Sequence, residues 1–252
     1  MTKNEWRSIA QTLHQRTCQL SGNRLAGTCL LCAARPAAAH GLCAACLAEL
    51  PRPGRACPQC ARPLPESAPE GLICGHCQRH PPSFERALAG LRHEQGARWL
   101  VHALKHDKRL PAARPLAMAL YERLSLSPDP LPERLIPVPL HPLRLVERGF
   151  NQAQEIAREL ARLLAGSLPL DPDCARRVRN TAHQTGLDKA QRRRNPREAF
   201  AFTGPLPPHV ALIDDVMTTG ATFEALARAA RRAGAQRVEV WCATRAGDTP
   251  GA

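Results

Sequence analysis

Aromatic side chains are scarce in this chain, with one Tyr, three Trp and five Phe among 252 residues. So few rings offer no platform on which a run of bases could stack, and any contact with single-stranded nucleic acid would run through its phosphate backbone. Long hydrophobic runs are missing as well: no apolar stretch approaches the roughly 20 residues that cross a bilayer as a helix. The first residues, Met1-Thr-Lys-Asn-Glu-Trp6, lack the apolar core of a secretory signal. The expectation is a cytoplasmic protein without membrane insertion. Acidic residues are outnumbered, 22 Asp and Glu against 35 Lys and Arg, which leaves a formal charge of +13. That excess favours anionic partners, either nucleic acid or phosphorylated small molecules, and does not choose between them.

Cysteine is abundant. In a reducing compartment eleven thiols read as metal ligands or core residues rather than disulfides. Eight of them form four CxxC pairs: Cys29 and Cys32, Cys43 and Cys46, Cys57 and Cys60, Cys74 and Cys77. Two residues between thiolates let the backbone fold into a knuckle that presents both sulfurs to one tetrahedral ion. Two knuckles then close an all-thiolate structural site, and eight ligands imply two zinc ions. Pairing the first four and the last four fits the spacings, and so does a crossed arrangement. The intervening segments are rich in Pro, Ala, Gly and Arg and too poor in large apolar residues to build a core, so the metal must supply the folding free energy. With eight thiols available, His40, His76 and His80 are bystanders. Cys18, Cys174 and Cys242 lack a partner at knuckle spacing, and Cys242 alternates with Val238 and Val240 as a core strand residue does.

These patterns divide the chain. Residues 1–28 carry Trp6, Ile9 and Leu13 at helical spacing, a short helix and loop. A double zinc ribbon occupies residues 29–80. After a stiff joint at Pro81-Pro82-Ser83, an α/β domain spans residues 81–252. Its first helices run through Leu100, Ala103 and Leu104, and from Pro111 through Leu116, Leu120 and Leu124. Lys105-His-Asp-Lys-Arg109 between them is a solvated loop or a phosphate contact.

The α/β domain is organised around Val210-Ala-Leu-Ile-Asp-Asp-Val-Met-Thr-Thr-Gly-Ala-Thr222. The apolar run is a strand that stops at two carboxylates, Asp214 and Asp215, before a small-residue turn and a helix. In a parallel sheet the ligand sits beyond the carboxyl ends of the strands, so both acids arrive at the rim of a cleft. Neighbouring carboxylates suit a vicinal diol. Gly220 permits a tight turn, and the amides from Thr218 to Thr222 can converge at a helix N-terminus, where a phosphate is favoured. Together they describe a ribose 5-phosphate site. An Asp pair capping a helix would account for each half but not for the combination.

A second strand is expected at Leu135-Ile-Pro-Val-Pro-Leu140, followed by a loop that carries Arg144, Arg148 and Gly149 to the same rim, where a pyrophosphate would lie. Asn151 then opens an amphipathic helix with Ala153, Ile156, Ala157, Leu160 and Leu164 on one face. Between Cys174 and Phe202 lies a strongly basic insertion with Arg176, Arg177, Arg179, Lys189 and Arg192 to Arg194, either a lid or a solvated loop. The closing unit is a helix bearing Phe223, Leu226, Ala227 and Ala230, a stop at Gly234, and a strand from Arg237 to Cys242.

The Asp214 to Thr222 stretch resembles the motif by which type I phosphoribosyltransferases bind phosphoribosyl pyrophosphate (PRPP). Nearly everything after residue 28 resembles the ComF family of bacterial competence proteins, which includes GntX-like relatives. The marks are the cysteine knuckles, Pro137-Val-Pro139 leading to Arg148-Gly-Phe-Asn-Gln152, Thr181 with Gln184-Thr-Gly-Leu187, Arg193-Arg-Asn195 and the acidic motif. The resemblance implies a double zinc ribbon joined to a type I phosphoribosyltransferase-like α/β domain with a mainly parallel sheet, and a link to DNA uptake in natural transformation. It implies that Asp214 and Asp215 hold the ribose hydroxyls and that Thr218, Thr219, Gly220, Ala221 and Thr222 hold the 5-phosphate. Arg144 and Arg148 would contact the pyrophosphate, Lys189 and Arg193 would neutralise charge on the leaving group, and Mg2+ would accompany PRPP. His183 is a weak candidate for proton transfer. The acceptor, turnover and oligomeric state stay open. So does the choice among a phosphoribosyltransferase, a PRPP sensor, and a single-stranded DNA-binding competence factor that works with DNA-uptake proteins.

Overall fold

The structure, a computed structural model, describes residues 27–38, 40–178 and 199–247. The N-terminal helix expected around Trp6 and the basic segment carrying Lys189 and Arg193 lie outside the described residues, as do Cys18 and His183.

The cysteine module is the same small unit built twice. In each copy the carbonyl of the first cysteine accepts a hydrogen bond from the residue four positions on, Ala33 to Cys29 and Ala61 to Cys57. Both alanines adopt the left-handed conformation, with φ of 53° and 54°. An alanine there is uncommon, and its recurrence at equivalent positions marks the knuckle geometry. The third cysteine of each copy caps a one-turn helix: Cys43 precedes α1 (Ala44–Ala48) and Cys74 precedes α2 (Gly75–Arg79).

Four parallel strands make the central sheet: β1 (Arg86–Arg92), β2 (Arg134–Pro137), β5 (His209–Met217) and β6 (Arg237–Arg245), in the spatial order β1-β6-β5-β2. A short antiparallel pair, β3 (Ala175–Arg177) and β4 (Phe200–Phe202), stands apart from it. The helices are α3 (Gln95–Lys105), α4 (Ala113–Ser125), α5 (Pro142–Arg148), α6 (Gln152–Leu163) and α7 (Ala221–Arg232). Pro111 sits in a short 3-10 turn leading into α4, and the side chain of Asn151 caps α6 by accepting the Ala153 amide at 3.0 Å.

The sheet separates two cores. On one face Leu135, Ala211, Ile213 and Trp241 pack against α3, α4 and α6, and Cys29 and Cys43 belong to that cluster. On the other face Ile136, Val210, Leu212, Val238 and Val240 pack against α7, and Cys57, Cys60, Cys74 and Cys77 are part of it. Each fully buried leucine or valine contributes about 1.5–3 kcal/mol relative to exposure, so both cysteine units are integral to the cores that stabilise the sheet. α4 lies so close to β1 that a Cβ on Gly90 would stand 3.0 Å from the Ala243 carbonyl oxygen and 3.0 Å from the Leu120 nitrogen.

The α/β class with a parallel sheet behind a cysteine module is the one expected. Three local readings differ. β5 runs through the two acids to Met217 because β6 itself continues to Arg245 and keeps pairing with it. β2 ends at Pro137, before the expected Leu140, since prolines 137 and 139 cannot donate to a ladder. The segment bearing Arg144 and Arg148 is the helix α5 rather than a loop, closed by Gly149 at φ 86°.

Candidate functional site

β2 and β5 stay in register up to Pro137 beside Ile213, and the last bond between them runs from the Val138 amide to the Ile213 carbonyl, 2.8 Å. Past that point β5 remains paired only with β6. Asp214 and Asp215 are the first residues on the freed edge, at the carboxyl end of the sheet, where ligands of open α/β folds bind.

A cavity of about 520 Å³ fills this gap. Asp214, Asp215, Thr218 and Thr222 line it from β5 and the following turn, Arg144 and Arg148 from α5, and Arg98, His102 and Lys105 from α3. Thr219, Gly220 and Ala221 make the bend between the two lining threonines. Gly220 has φ 84°, a left-handed conformation that favours glycine, and a Cβ there would stand 2.9 Å from the Met217 methyl, which would have to swing aside. The Thr219 hydroxyl accepts the Ala221 amide at 3.3 Å and so fixes the entry to α7.

The two acids have different partners. Oδ2 of Asp215 lies 2.8 Å from the Lys105 ammonium, an ionic contact across from the last residue of α3, and Asp215 is 2% exposed. Burial pushes its carboxyl up, and the Lys105 charge with hydrogen bonds involving Lys105, Asp214 and Gln152 more than offsets this, so the net direction is down. Asp214 accepts the Asp215 amide at 2.8 Å. Burial, then the neighbouring Asp215 charge, drives its carboxyl well above the ordinary range. The pair therefore holds one secure anion and one carboxyl that gains from a cation or a hydrogen-bond donor beside it.

Cations surround this floor. Arg148 donates to Gln152 at the start of α6, and burial draws its guanidinium below its usual range, as it does for Arg177 on β3. The Thr244 hydroxyl donates to the Asp215 carbonyl at 3.2 Å and meets Nδ1 of His93 at 2.9 Å, so His93 donates to it.

The expected residues Asp214, Asp215, Thr218, Thr222, Arg144 and Arg148 thus meet at one cavity, with Thr219, Gly220 and Ala221 forming its turn. Lys189 and Arg193 lie outside the described residues. Lys105, left open in the sequence as loop or phosphate contact, ends α3, lines the cavity and pairs with Asp215. Gln152 entered the sequence reading only as the end of Arg148-Gly-Phe-Asn-Gln152, and Thr244 carried no signal, since it acts through contacts with His93 and Asp215 far away in the chain. The structure adds Arg245, 4% exposed, whose guanidinium donates to the carbonyls of Met217 at 2.9 Å and Thr218 at 2.5 Å beneath the turn.

The cysteines close sequentially. Cys29, Cys32, Cys43 and Cys46 form one cluster and Cys57, Cys60, Cys74 and Cys77 the other, with all four sulfurs of each within 4.8 Å of one another. A tetrahedral ion with Zn–S bonds of about 2.3 Å separates its sulfurs by about 3.8 Å. Cys32 and Cys43 sulfurs stand 3.9 Å apart, and those of Cys60 and Cys74 3.7 Å, so both sets fit zinc. In the second cluster the Cys74 amide donates to the Cys57 sulfur at 3.3 Å. Hydrogen bonds from the Cys60 thiol and that amide lower the Cys57 thiol against its burial.

Residues 23–78 match the double zinc ribbon domain family. The chain is 36% identical over 170 residues to the DNA utilization protein YhgH of Salmonella typhi, covering 66% of this chain and 74% of that protein. It is 36% identical over 138 residues to competence protein F of Haemophilus influenzae, covering 53% and 59%. A purine phosphoribosyltransferase from Pyrococcus horikoshii aligns over 62% of this chain and 76% of its own, at 20% identity and a TM-score of 0.29, a likeness too slight to carry weight.

Proposed function

Because the chain belongs to the family of YhgH and ComF competence proteins, we propose that its α/β domain binds PRPP with Mg2+ and transfers or senses the phosphoribosyl group during DNA utilization. The observation that carries this reading is the meeting of two adjacent carboxylates and a glycine-bent turn at one cavity, where β2 stops and β5 continues.

Asp214 and Asp215 accept hydrogen bonds from the ribose hydroxyls. The amides and hydroxyls of Thr218 to Thr222, at the N-terminus of the twelve-residue α7, receive the 5-phosphate. Arg144 and Arg148 face the pyrophosphate. Mg2+, which binds through one or two carboxylates and substrate phosphates, would offset charge on the pyrophosphate, and Asp214, whose ionised form gains from a neighbouring cation, suits such an ion. Loss of pyrophosphate from the anomeric carbon passes through an oxocarbenium-like state, as in other glycosyl transfers. This chain's part is to hold fixed charges around it, with Asp214 and Asp215 below the sugar and Arg144 and Arg148 on the departing group.

Calorimetric titration of PRPP with Mg2+ into the wild type and the Asp214→Asn, Asp215→Asn double variant tests the reading. Binding by the first and none by the second supports it, and no binding by the first sinks it. Pyrophosphate release on adding candidate acceptors separates a transferase from a sensor.

A second reading, a single-stranded DNA-binding factor, draws on the +13 charge and on the names of the relatives. It predicts binding that weakens steeply with salt as counterions are released. A gel shift at low salt with no retarded DNA would remove it. None of the described helices is long and apolar enough to cross a membrane. Eight thiols acting as ligands suit a reducing cytoplasm.

A further inference from the structure

We infer that Arg245 mechanically couples the second cysteine cluster to the phosphate turn, so that metal at Cys57, Cys60, Cys74 and Cys77 sets the affinity of the cavity for its anion. This rests on the PRPP reading and adds a positioning residue and a regulatory input to that site.

Arg245 ends β6 and is 4% exposed. Its Nε donates to the carbonyl of Cys60 at 2.9 Å. Its Nη1 donates to the carbonyls of Met217 at 2.9 Å and Thr218 at 2.5 Å, and also to Ala246. One rigid guanidinium fork thus ties a ligand-bearing knuckle to the first bend of the turn. A point charge on a flexible stem could not reproduce this.

The consequence for the turn follows from peptide geometry. In a trans peptide the carbonyl and the next amide point in opposite directions. With the carbonyls of Met217 and Thr218 drawn down onto Arg245, the amides of Thr218 and Thr219 are directed to the opposite side of the turn. The Ala246 amide, which donates to the Met217 carbonyl at 2.9 Å, reinforces the same orientation.

The consequence for the charge is equally specific. Among the described residues no carboxylate lies within ion-pair distance of Arg245, so this buried cation is satisfied by carbonyls alone. A divalent ion held by four thiolates leaves a net charge of −2. Arg245, bonded to the carbonyl of one of those four ligands, brings a positive charge to that cluster. Loss of the ion would release the Cys60 knuckle, remove an acceptor and a counter-charge from Arg245, and free the turn. The first cluster packs in the core on the opposite face of the sheet and provides an internal control.

Coupling of this kind is reciprocal, so the ligand must also raise the affinity of the second cluster for its metal, which a chelator reads as slower release when capture of the ion is unchanged. The test follows zinc release from the full-length, zinc-loaded chain to a chromogenic chelator, with and without PRPP and Mg2+. The Cys32→Ser variant identifies the kinetic phase of the intact second cluster. PRPP is expected to slow that phase at least tenfold in the wild type and to leave the first-cluster phase unchanged. Arg245→Met should bind PRPP at least tenfold more weakly and lose the protection, with partial recovery in Arg245→Lys. If Arg245→Met does not fold, the two wild-type phases decide. PRPP binding that leaves both phases unchanged, or slows both equally, overturns the coupling alone. No PRPP binding by the zinc-loaded wild type overturns the coupling and the ligand reading together.

Discussion

The Lys105 ammonium stands 2.8 Å from Oδ2 of Asp215, whereas Asp214 has no ion-pair partner among the described residues. Adjacent acids are thereby made unequal by a helix terminus far away in the chain. Substitution should expose the difference. Asp214→Asn replaces a carboxyl whose ionised form burial and the Asp215 charge both disfavour, and is expected to stabilise the unliganded protein by about 1 kcal/mol, or ~2–4 °C in melting temperature for a chain of this size. Asp215→Asn strands the Lys105 ammonium and should destabilise by roughly 1–3 kcal/mol. Both should abolish PRPP binding. Thermal melts shifting in the same direction for the two variants would contradict the assignment.

His93 gives the pH dependence a defined sign. Burial, assisted by the Arg98 and Lys105 charges, lowers its folded value below the ordinary 6.5, against the opposing pull of Asp215. The unfolded chain then binds the proton more readily, so stability rises with pH through the window between the folded value and 6.5 and is lost on acidification through it. Melting temperatures between pH 7.5 and 5.5 should fall, and His93→Gln should flatten part of the slope. A variant as steep as the wild type would show that His93 does not contribute.

Metal content should reach two zinc ions per chain, because both clusters have the sulfur geometry of a tetrahedral site. Exhaustive chelation is expected to disrupt the α/β domain as well as the ribbons, since four of the ligand cysteines lie in one core and two more in the other. Circular dichroism during chelation checks this. A helical signal unaffected by complete zinc removal would argue against shared cores.

Gly90→Ala tests the contact between α4 and β1. The added methyl meets backbone on both sides, the Ala243 carbonyl oxygen at 3.0 Å and the Leu120 nitrogen at 3.0 Å, and neither can rotate away. A loss of about 1–3 kcal/mol is expected from such overpacking, read from denaturant unfolding. A neutral substitution would mean that the helix shifts at no cost.

What could be read in the sequence was whatever is local. CxxC spacing announces a knuckle wherever it occurs, and Asp214 to Thr222 carries strand, acids and turn in consecutive residues. Pairing partners were less visible. β1 reads Arg-Ala-Leu-Ala-Gly-Leu-Arg, whose small residues suit the close approach of α4 but give little strand signal. α5 escaped notice because none of its residues is buried, so no amphipathic stripe marks it. Lys105 and Arg245 reach the site from the ends of α3 and β6, and only the assembled sheet brings them there.

The sharing of cysteines between the two cores bears on how the protein is made. Domains generally fold in the order in which they are synthesised, N-terminal first, and here residues 29–80 leave the ribosome before any strand of the sheet. Each ribbon is complete in sequence, and able to take its ion, while the apolar surface that will cover it is still untranslated. β6, which supplies Trp241, Cys242 and Arg245, arrives last and closes both cores at once. A cell short of zinc would therefore accumulate nascent chains whose final strand has no finished surface to join.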